Sequence, residues 1–117
     1  MFGKLFGGNA AEIMSINPRQ AQERLAADAG KGTVILIDVR EPWEYRRGHA
    51  RGARNIPLSQ LGRRTQEVPA DCETLLICQS GHRSMQAAKI LQEAGRTRIV
   101  NITGGTTVWK MHNLPME

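Results

Sequence analysis

The chain has 117 residues, 40% hydrophobic and 23% charged, with a formal net charge of +5 and a pI near 9.9. That length supports one hydrophobic core and is too short for two domains, and no window approaches the roughly 18 continuous apolar residues of a membrane span. Twelve arginines and four lysines carry the positive balance, but none of the five aromatic residues is interleaved in the arginine-rich stretch as a base-stacking platform would be, which argues against nucleic acid as the partner.

In chain order, residues 1–10 (MFGKLFGGNA) carry three glycines that interrupt any apolar signal region. They are expected to form a flexible tail before a domain over 11–117, with no secretory leader. Residues 12–16 read as a short strand. Asn17-Pro18 is a helix start, with Asn as N-cap, Pro at the first helical position and Gln20 completing a capping box. The helix is predicted over 18–29, with Ala21, Leu25 and Ala29 on one side and Gly30 and Gly32 ending it. TVILID (33–38) is a nearly continuous β-branched and apolar run, the pattern of a strand buried on both faces. Glu41-Pro42 starts a short helix predicted to end near Gly48. Residues 49–57 show no clear period beyond a short strand at 55–57, and 58–66 read as a helix with Leu58 and Leu61 inward. TLLI (74–77) is a second buried strand. A helix over 83–94 follows, with Ala87, Ala88, Leu91 and Ala94 aligned and Gly95 as its stop. Residues 98–102 give a last strand, and Gly104-Gly105 turns into a short helix containing Val108 and Trp109.

Strands alternating with helices through short connectors imply a three-layer α/β fold, a parallel sheet with helices on both faces. Working groups in such sheets sit at the carboxyl ends of the strands. Two segments meet that rule, Asp38-Val39-Arg40-Glu41 after TVILI and Cys78 after TLLI, and both should open at one edge.

Cys78 begins the loop CQSGHRS. The backbone after it can turn its N–H groups inward, which Gly81 makes sterically easy, and the positive end of the next helix points the same way. Arg83 and His82 add positive charge. Each feature favours thiolate, the nucleophilic form of cysteine. No general base accompanies it, which narrows the chemistry to attack on a soft electrophile with a good leaving group. Sulfur transfer meets that condition, in two half-reactions through a cysteine persulfide.

These residues resemble the active-site loop, C-x-x-G-x-R, of the rhodanese-type sulfurtransferases. Residues 37–41 (IDVRE) are similar to that family's first box, and 48–57 (GHARGARNIP) to its second. Gly104-Gly105 through Trp109 to Leu114-Pro115 resembles its C-terminal signature, with Asn113 where the family usually has glycine. Asn is the next best residue for a left-handed turn. The resemblance implies a five-stranded parallel sheet in the order 1-5-4-2-3. It implies a persulfide on Cys78, cradled by the backbone of Gln79, Ser80, Gly81, His82 and Arg83, with Arg83 also meeting an anionic donor. Asp38 and Arg40 correspond to residues that brace the site. The reaction implied moves a sulfane sulfur from thiosulfate or a similar small anion to cyanide or a thiol, the latter including a thioredoxin-like or other acidic protein. No cofactor and no metal are expected.

Other readings are a persulfide carrier or rhodanese-like binding module serving a protein partner, and a phosphatase or arsenate reductase. The last needs a longer loop ending C-x5-R, and here Ser84 stands at that position, leaving a smaller cup suited to a sulfur atom. The six arginines between 46 and 64 read either as a solvated face or as a docking surface for an acidic partner. His82 reads as a solvated loop residue, His49 as a hydrogen-bonding brace and Trp43 as rim packing or a site wall. His112 carries no expected role. Cys72 is expected to be inert, because an extended 74–77 at about 3.3 Å per residue holds it beyond the roughly 7 Å reach of a disulfide. Free thiols fit a reducing compartment, so the cytoplasm is the expected location.

Overall fold

The computed structural model describes residues 12–117, and the flexible tail expected over 1–10 lies outside them. Its elements are β1 (Met14–Ile16), α1 (Pro18–Asp28), β2 (Val34–Asp38), α2 (Pro42–Arg46), β3 (Arg54–Asn55), α3 (Leu58–Leu61), a 3-10 turn (Thr65–Glu67), β4 (Glu73–Ile77), α4 (His82–Glu93), β5 (Ile99–Ile102) and α5 (Gly105–Met111). The strands form one parallel sheet in the order β1-β5-β4-β2-β3, as expected.

Alternation along the strands divides the core in two. Leu36, Leu75, Ile77, Val100 and Ile102 face one side, with Ala21 of α1 and Trp109 of α5. Ile37, Leu76 and Cys78 face the other, against Leu61 of α3 and Ala87, Ala88 and Leu91 of α4. A two-residue period on strands covered by helices on both faces yields these two clusters.

The Asn17–Gln20 capping box forms as read, with both hydrogen bonds at 2.9 Å. α1 ends one residue early at Asp28: Ala29 takes the left-handed conformation (φ 51°), its N–H bonds to the carbonyls of Leu25 and Ala26, and Gly30 (φ 77°) and Gly32 (φ 81°) follow at positive φ as the expected stop. The helix expected over 58–66 stops at Leu61 before Gly62, a weak helix former. The chain resumes as the 3-10 turn, where Arg64 reaches both Glu67 and Gln60. The strand expected at 55–57 pairs only at Arg54–Asn55. Ile56 N–H turns to the Asp38 carbonyl, and Pro57, with no N–H, precedes α3. Asn113 has φ 55°, the left-handed turn foreseen for it.

Residues 49–51, where no period was visible, are held by the C-terminus. His49 and Glu117 exchange backbone hydrogen bonds of 3.0 and 2.8 Å, and Arg51 N–H donates to Pro115. Trp109, fully buried, donates its indole N–H to the same Pro115 carbonyl at 2.8 Å. Among the described residues no helix is long and apolar enough to cross a membrane.

Candidate active site

β2 and β4 end together, Asp38 opposite Ile77, and Val39 N–H continues the ladder to the Ile77 carbonyl at 2.9 Å. Cys78 is the next residue of β4 and is 1% exposed. Gly81, at φ 106°, caps α4 and turns its N–H onto the Cys78 Sγ at 3.0 Å. That conformation is open to glycine and strained for other residues. Ser84 Oγ lies 3.4 Å from the sulfur, one turn into the helix. Burial alone would push the thiol's pKa up. The Ser84 hydroxyl and the backbone N–H groups of Ser84, Gly81 and Ser80 together outweigh it, and the pKa lies below the ordinary cysteine value.

The remaining loop residues take different positions. Gln79 donates to Thr107 Oγ1 at 2.8 Å and accepts from Arg40 at 3.3 Å. Ser80 and His82 are exposed, with His82 Nδ1 3.2 Å from Ser80 Oγ. Arg83 does not project free. Its guanidinium forks onto the Glu44 carboxylate at 2.7 and 3.0 Å.

Hydrogen bonds from α5 fix the loop, one of them from Thr107 N–H to the Gln79 carbonyl at 3.2 Å. Thr106 donates both its N–H (2.8 Å) and its hydroxyl (3.0 Å) to the Cys78 carbonyl, and Gly105 (φ 56°) lets the two segments meet. Beneath the loop, Arg40 holds Asp38 through three side-chain hydrogen bonds of 2.8–3.1 Å, with Asp38 fully buried. The same guanidinium reaches the Gly48 carbonyl at 2.8 Å and Gln79, and so links the end of β2 to the cysteine loop.

Glu44 is, with Ser84, a residue the sequence reading missed. It sits at the third position of α2, and its carboxylate also accepts from Glu41 N–H at 3.0 Å. The local signal was the E-P-W-E pattern, a capping box opening beside the IDVRE stretch. The hydrogen bond from Arg83 is the main reason its pKa lies at about 2. The Glu41 N–H and the charges of Arg83 and Arg40 add to this, against an opposing burial effect. A carboxylate depressed from 4.5 to about 2 contributes stability above pH ~4.5 that is lost as the pH falls toward 2. Glu44→Gln should therefore flatten the loss of stability between about pH 5 and 2, as read by denaturant unfolding at each pH. An acid profile as steep as wild type's would show that Glu44 does not contribute there.

Beside the loop opens a cavity of about 310 Å³ lined by Arg40, Trp43, Glu44, Arg47, Gln79 and Lys110, among others. Trp43, half exposed, forms its wall with Arg47 laid over the indole at 5.6 Å. Arg47 and Lys110 make no ion pair among the described residues. Of the six arginines of 46–64, Arg54 and Arg64 both turn to Glu67 and Arg47 lines the cavity. His49 stacks on Tyr45 with ring centroids 3.6 Å apart and bonds the Tyr45 carbonyl, the brace expected of it. The His112 ring shares a 3.2 Å hydrogen bond with Arg19. Cys72 is a free thiol bonded to the Gly32 carbonyl, its pKa raised by burial and by Asp71.

A parallel sheet in this strand order places a thiol of lowered pKa at a strand's carboxyl end beside a helix N-terminus, where open α/β sheets carry their sites. Residues 21–112 match the rhodanese-like domain family, and the chain belongs to it. A sulfurtransferase of Allochromatium vinosum is 36% identical over 104 residues, 89% of this chain and 94% of that protein. An uncharacterized Bacillus subtilis protein, YqhL, is 49% identical over 81 residues, 69% of this chain, and the chain spans only 64% of its length. The crystal structure of a rhodanese-related protein from Thermoplasma volcanium superposes with a TM-score of 0.78 at 30% identity, covering 89% of this chain and 97% of that one. At the level of the family, the activity is sulfur transfer.

Proposed function

We propose that this chain is a thiosulfate sulfurtransferase that works through a persulfide on Cys78. The observation that carries the reading is the Cys78 sulfur itself. It is buried at the end of β4, it accepts the Gly81 N–H at 3.0 Å, and its pKa is lowered against the pull of burial. A thiolate held this way attacks the outer sulfur of thiosulfate. The S–S bond to the sulfonate breaks, sulfite leaves with the electron pair, and Cys78 keeps one extra sulfur bearing the negative charge. Cyanide or a thiolate then attacks that outer sulfur and restores the Cys78 thiolate. Neither half-reaction needs a proton shuttle for its leaving group, which suits a site where, among the described residues, the Gly81 N–H and the Ser84 hydroxyl are bonded to the sulfur.

The persulfide charge is held by the N–H groups of residues 79–83 and the N-terminal end of α4. Arg47 and Lys110 draw the anionic donor into the cavity. Asp38 and Arg40 brace the loop from below, and a reducing cytoplasm keeps both thiols free.

The test is thiocyanate formation from thiosulfate and cyanide. Cys78→Ser should abolish it, and Cys72→Ser should leave it near wild type. Turnover of a small phosphate ester by the same sample would favour the phosphatase reading. A persulfide that resists cyanide and small thiols but passes to a purified acidic thiol protein would favour a carrier. For the cavity, Arg47→Ala and Lys110→Ala should each raise the thiosulfate KM by about threefold to tenfold at low salt, with kcat little changed. The effect should shrink as salt screens the charges. A KM unmoved at low salt would remove these two residues from donor binding.

A further inference from the structure

Four side chains form one hydrogen-bonded line across the α4 face of the sheet. Cys78 Sγ lies 3.4 Å from Ser84 Oγ, the Ser84 hydroxyl donates to Asn101 Oδ1 at 2.6 Å, and Asn101 Nδ2 donates to Ser15 Oγ at 3.3 Å. The sheet places them in a row. Ser15 of β1 pairs directly with Asn101 of β5, and Asn101 pairs with Leu76 of β4, two residues before Cys78. Ser84 is fully buried, Asn101 is 3% exposed, and Ser15 is exposed on the edge strand. An amide inside the otherwise apolar strand IVNI is costly unless both of its ends are bonded, and here both are.

The direction of the line matters because each hydroxyl has one proton. With the Ser84 proton on Asn101, Ser84 shows the sulfur only lone pairs, so it can accept an S–H but cannot donate. That arrangement suits the thiol. A thiolate needs the opposite, a hydroxyl that donates. Turning the Asn101 amide over exchanges Oδ1 and Nδ2 in place. Nδ2 then donates to Ser84, Ser84 swings its proton to the sulfur, and the Ser15 hydroxyl donates inward to Oδ1. Every bond is remade in reverse without displacing the backbone.

We propose that Cys78, Ser84, Asn101 and Ser15 form a reversible hydrogen-bond relay, in which Asn101 is a positioning residue that lets Ser84 change from accepting the thiol to donating to the thiolate. The inference rests on the reading of Cys78 as the group that becomes charged during transfer. No proton travels along the line. The amide keeps both of its protons, and the thiol proton is lost to a base in solution. What moves is the polarity of the chain of dipoles, and the exposed Ser15 lets water complete either direction at the far end. The ionisable groups near the thiol, His82 and Arg83 on α4, Asp38 and Arg40 at the end of β2, and Glu44 on α2, stand outside the line.

Two measurements test it, and neither depends on sulfur transfer. The first follows the Asn101 side-chain amide signals by NMR while Cys78 is titrated. In wild type they should shift with the same midpoint as thiolate absorbance in the ultraviolet. In Ser84→Ala the thiol still titrates, but the shift should be largely lost. Amide signals that titrate equally in Ser84→Ala would report only the nearby charge and overturn the proposal. The second is a double-mutant cycle on the rate of Cys78 alkylation by iodoacetamide at neutral pH, with Cys72 as internal reference. Asn101→Asp can only accept, so it holds the Ser84 proton away from the sulfur and should slow alkylation about tenfold. In the Ser84→Ala background the same change should cost threefold or less. Equal slowing in both backgrounds would reduce Asn101→Asp to an effect of charge and overturn the relay. If thiosulfate fails to load Cys78 while these results hold, the sulfurtransferase reading fails and the relay stands.

Discussion

Gly105→Ala is expected to be the most damaging single-methyl change in the chain. A Cβ at this position falls inside contact distance of the Cys78 carbonyl oxygen and within 2.6 Å of the carbonyl carbon and oxygen of Gln79. These are backbone atoms of the cysteine loop, and they cannot step aside as the end of a flexible side chain can. The residue also sits at φ 56°, where a side chain costs roughly 1–2 kcal/mol on its own. Adding an overpacking term of similar size gives a loss of about 3 kcal/mol, a fall in Tm on the order of 10 °C. Sulfur transfer should fall with it, because the two Thr106 hydrogen bonds to the Cys78 carbonyl depend on the same approach. Gly52→Ala is the control: φ is 87° and nothing lies within 4 Å of the added carbon. It should show the conformational cost without the clash. Equal losses in the two variants, read by thermal melts, would show that the contact with the cysteine loop adds nothing.

Asp38→Asn should cost as much or more. The Asp38–Arg40 pair is almost wholly buried, with side-chain exposures of 0% and 5%. Removing the charge of one partner leaves a guanidinium inside the protein facing a neutral amide, which costs about 3–5 kcal/mol in buried pairs. Arg40 would still reach Gly48 and Gln79, so the loop would be loosened from below rather than released. Denaturant unfolding of Asp38→Asn measures the loss, and the thiocyanate assay shows whether the loop needs the brace. Asp38→Asn combined with Arg40→Met should recover part of the stability, because no unpaired charge remains buried, but not the activity. A double variant less stable than Asp38→Asn would contradict this account of the pair.

The fold was legible where burial left a one-dimensional trace. TVILID and TLLI read as strands because residues covered on both faces must be apolar in succession, and helix caps such as Asn17 and Gln20 act within one turn of chain. The cysteine loop was legible for a related reason, since Cys78 and Gly81 lie close together in sequence, but the contact of Ser84 with the sulfur was not read from it. The Arg83–Glu44 fork was not legible. It joins residues 39 apart, one on α2 and one on α4, and nothing local to either residue requires it. The clasp of 49–51 by the C-terminus was hidden for the same reason, having no period of its own. Asn101 is an intermediate case. A polar residue in the middle of an apolar strand announces a partner, but only the register of three strands and a turn of α4 reveals that the partners are Ser15 and Ser84.

The arginine-rich segment shows how charge counted along the sequence overstates a surface. Arg54 and Arg64 converge on Glu67, whereas the cations lining the cavity are Arg40, Arg47 and Lys110, drawn from two distant parts of the chain. Arg47 belongs to both groups, so the 46–64 stretch contributes one cation to the folded site and Arg40 and Lys110 supply the others.

The most direct measurement of the central claim is the intact mass of the reduced chain after exposure to thiosulfate and removal of excess reagent. The account predicts a gain of one sulfur per chain, mapped to the peptide containing Cys78, removed by cyanide and absent from Cys78→Ser. A Cys78 that remains unmodified, or a sulfur that maps to Cys72 instead, would contradict it.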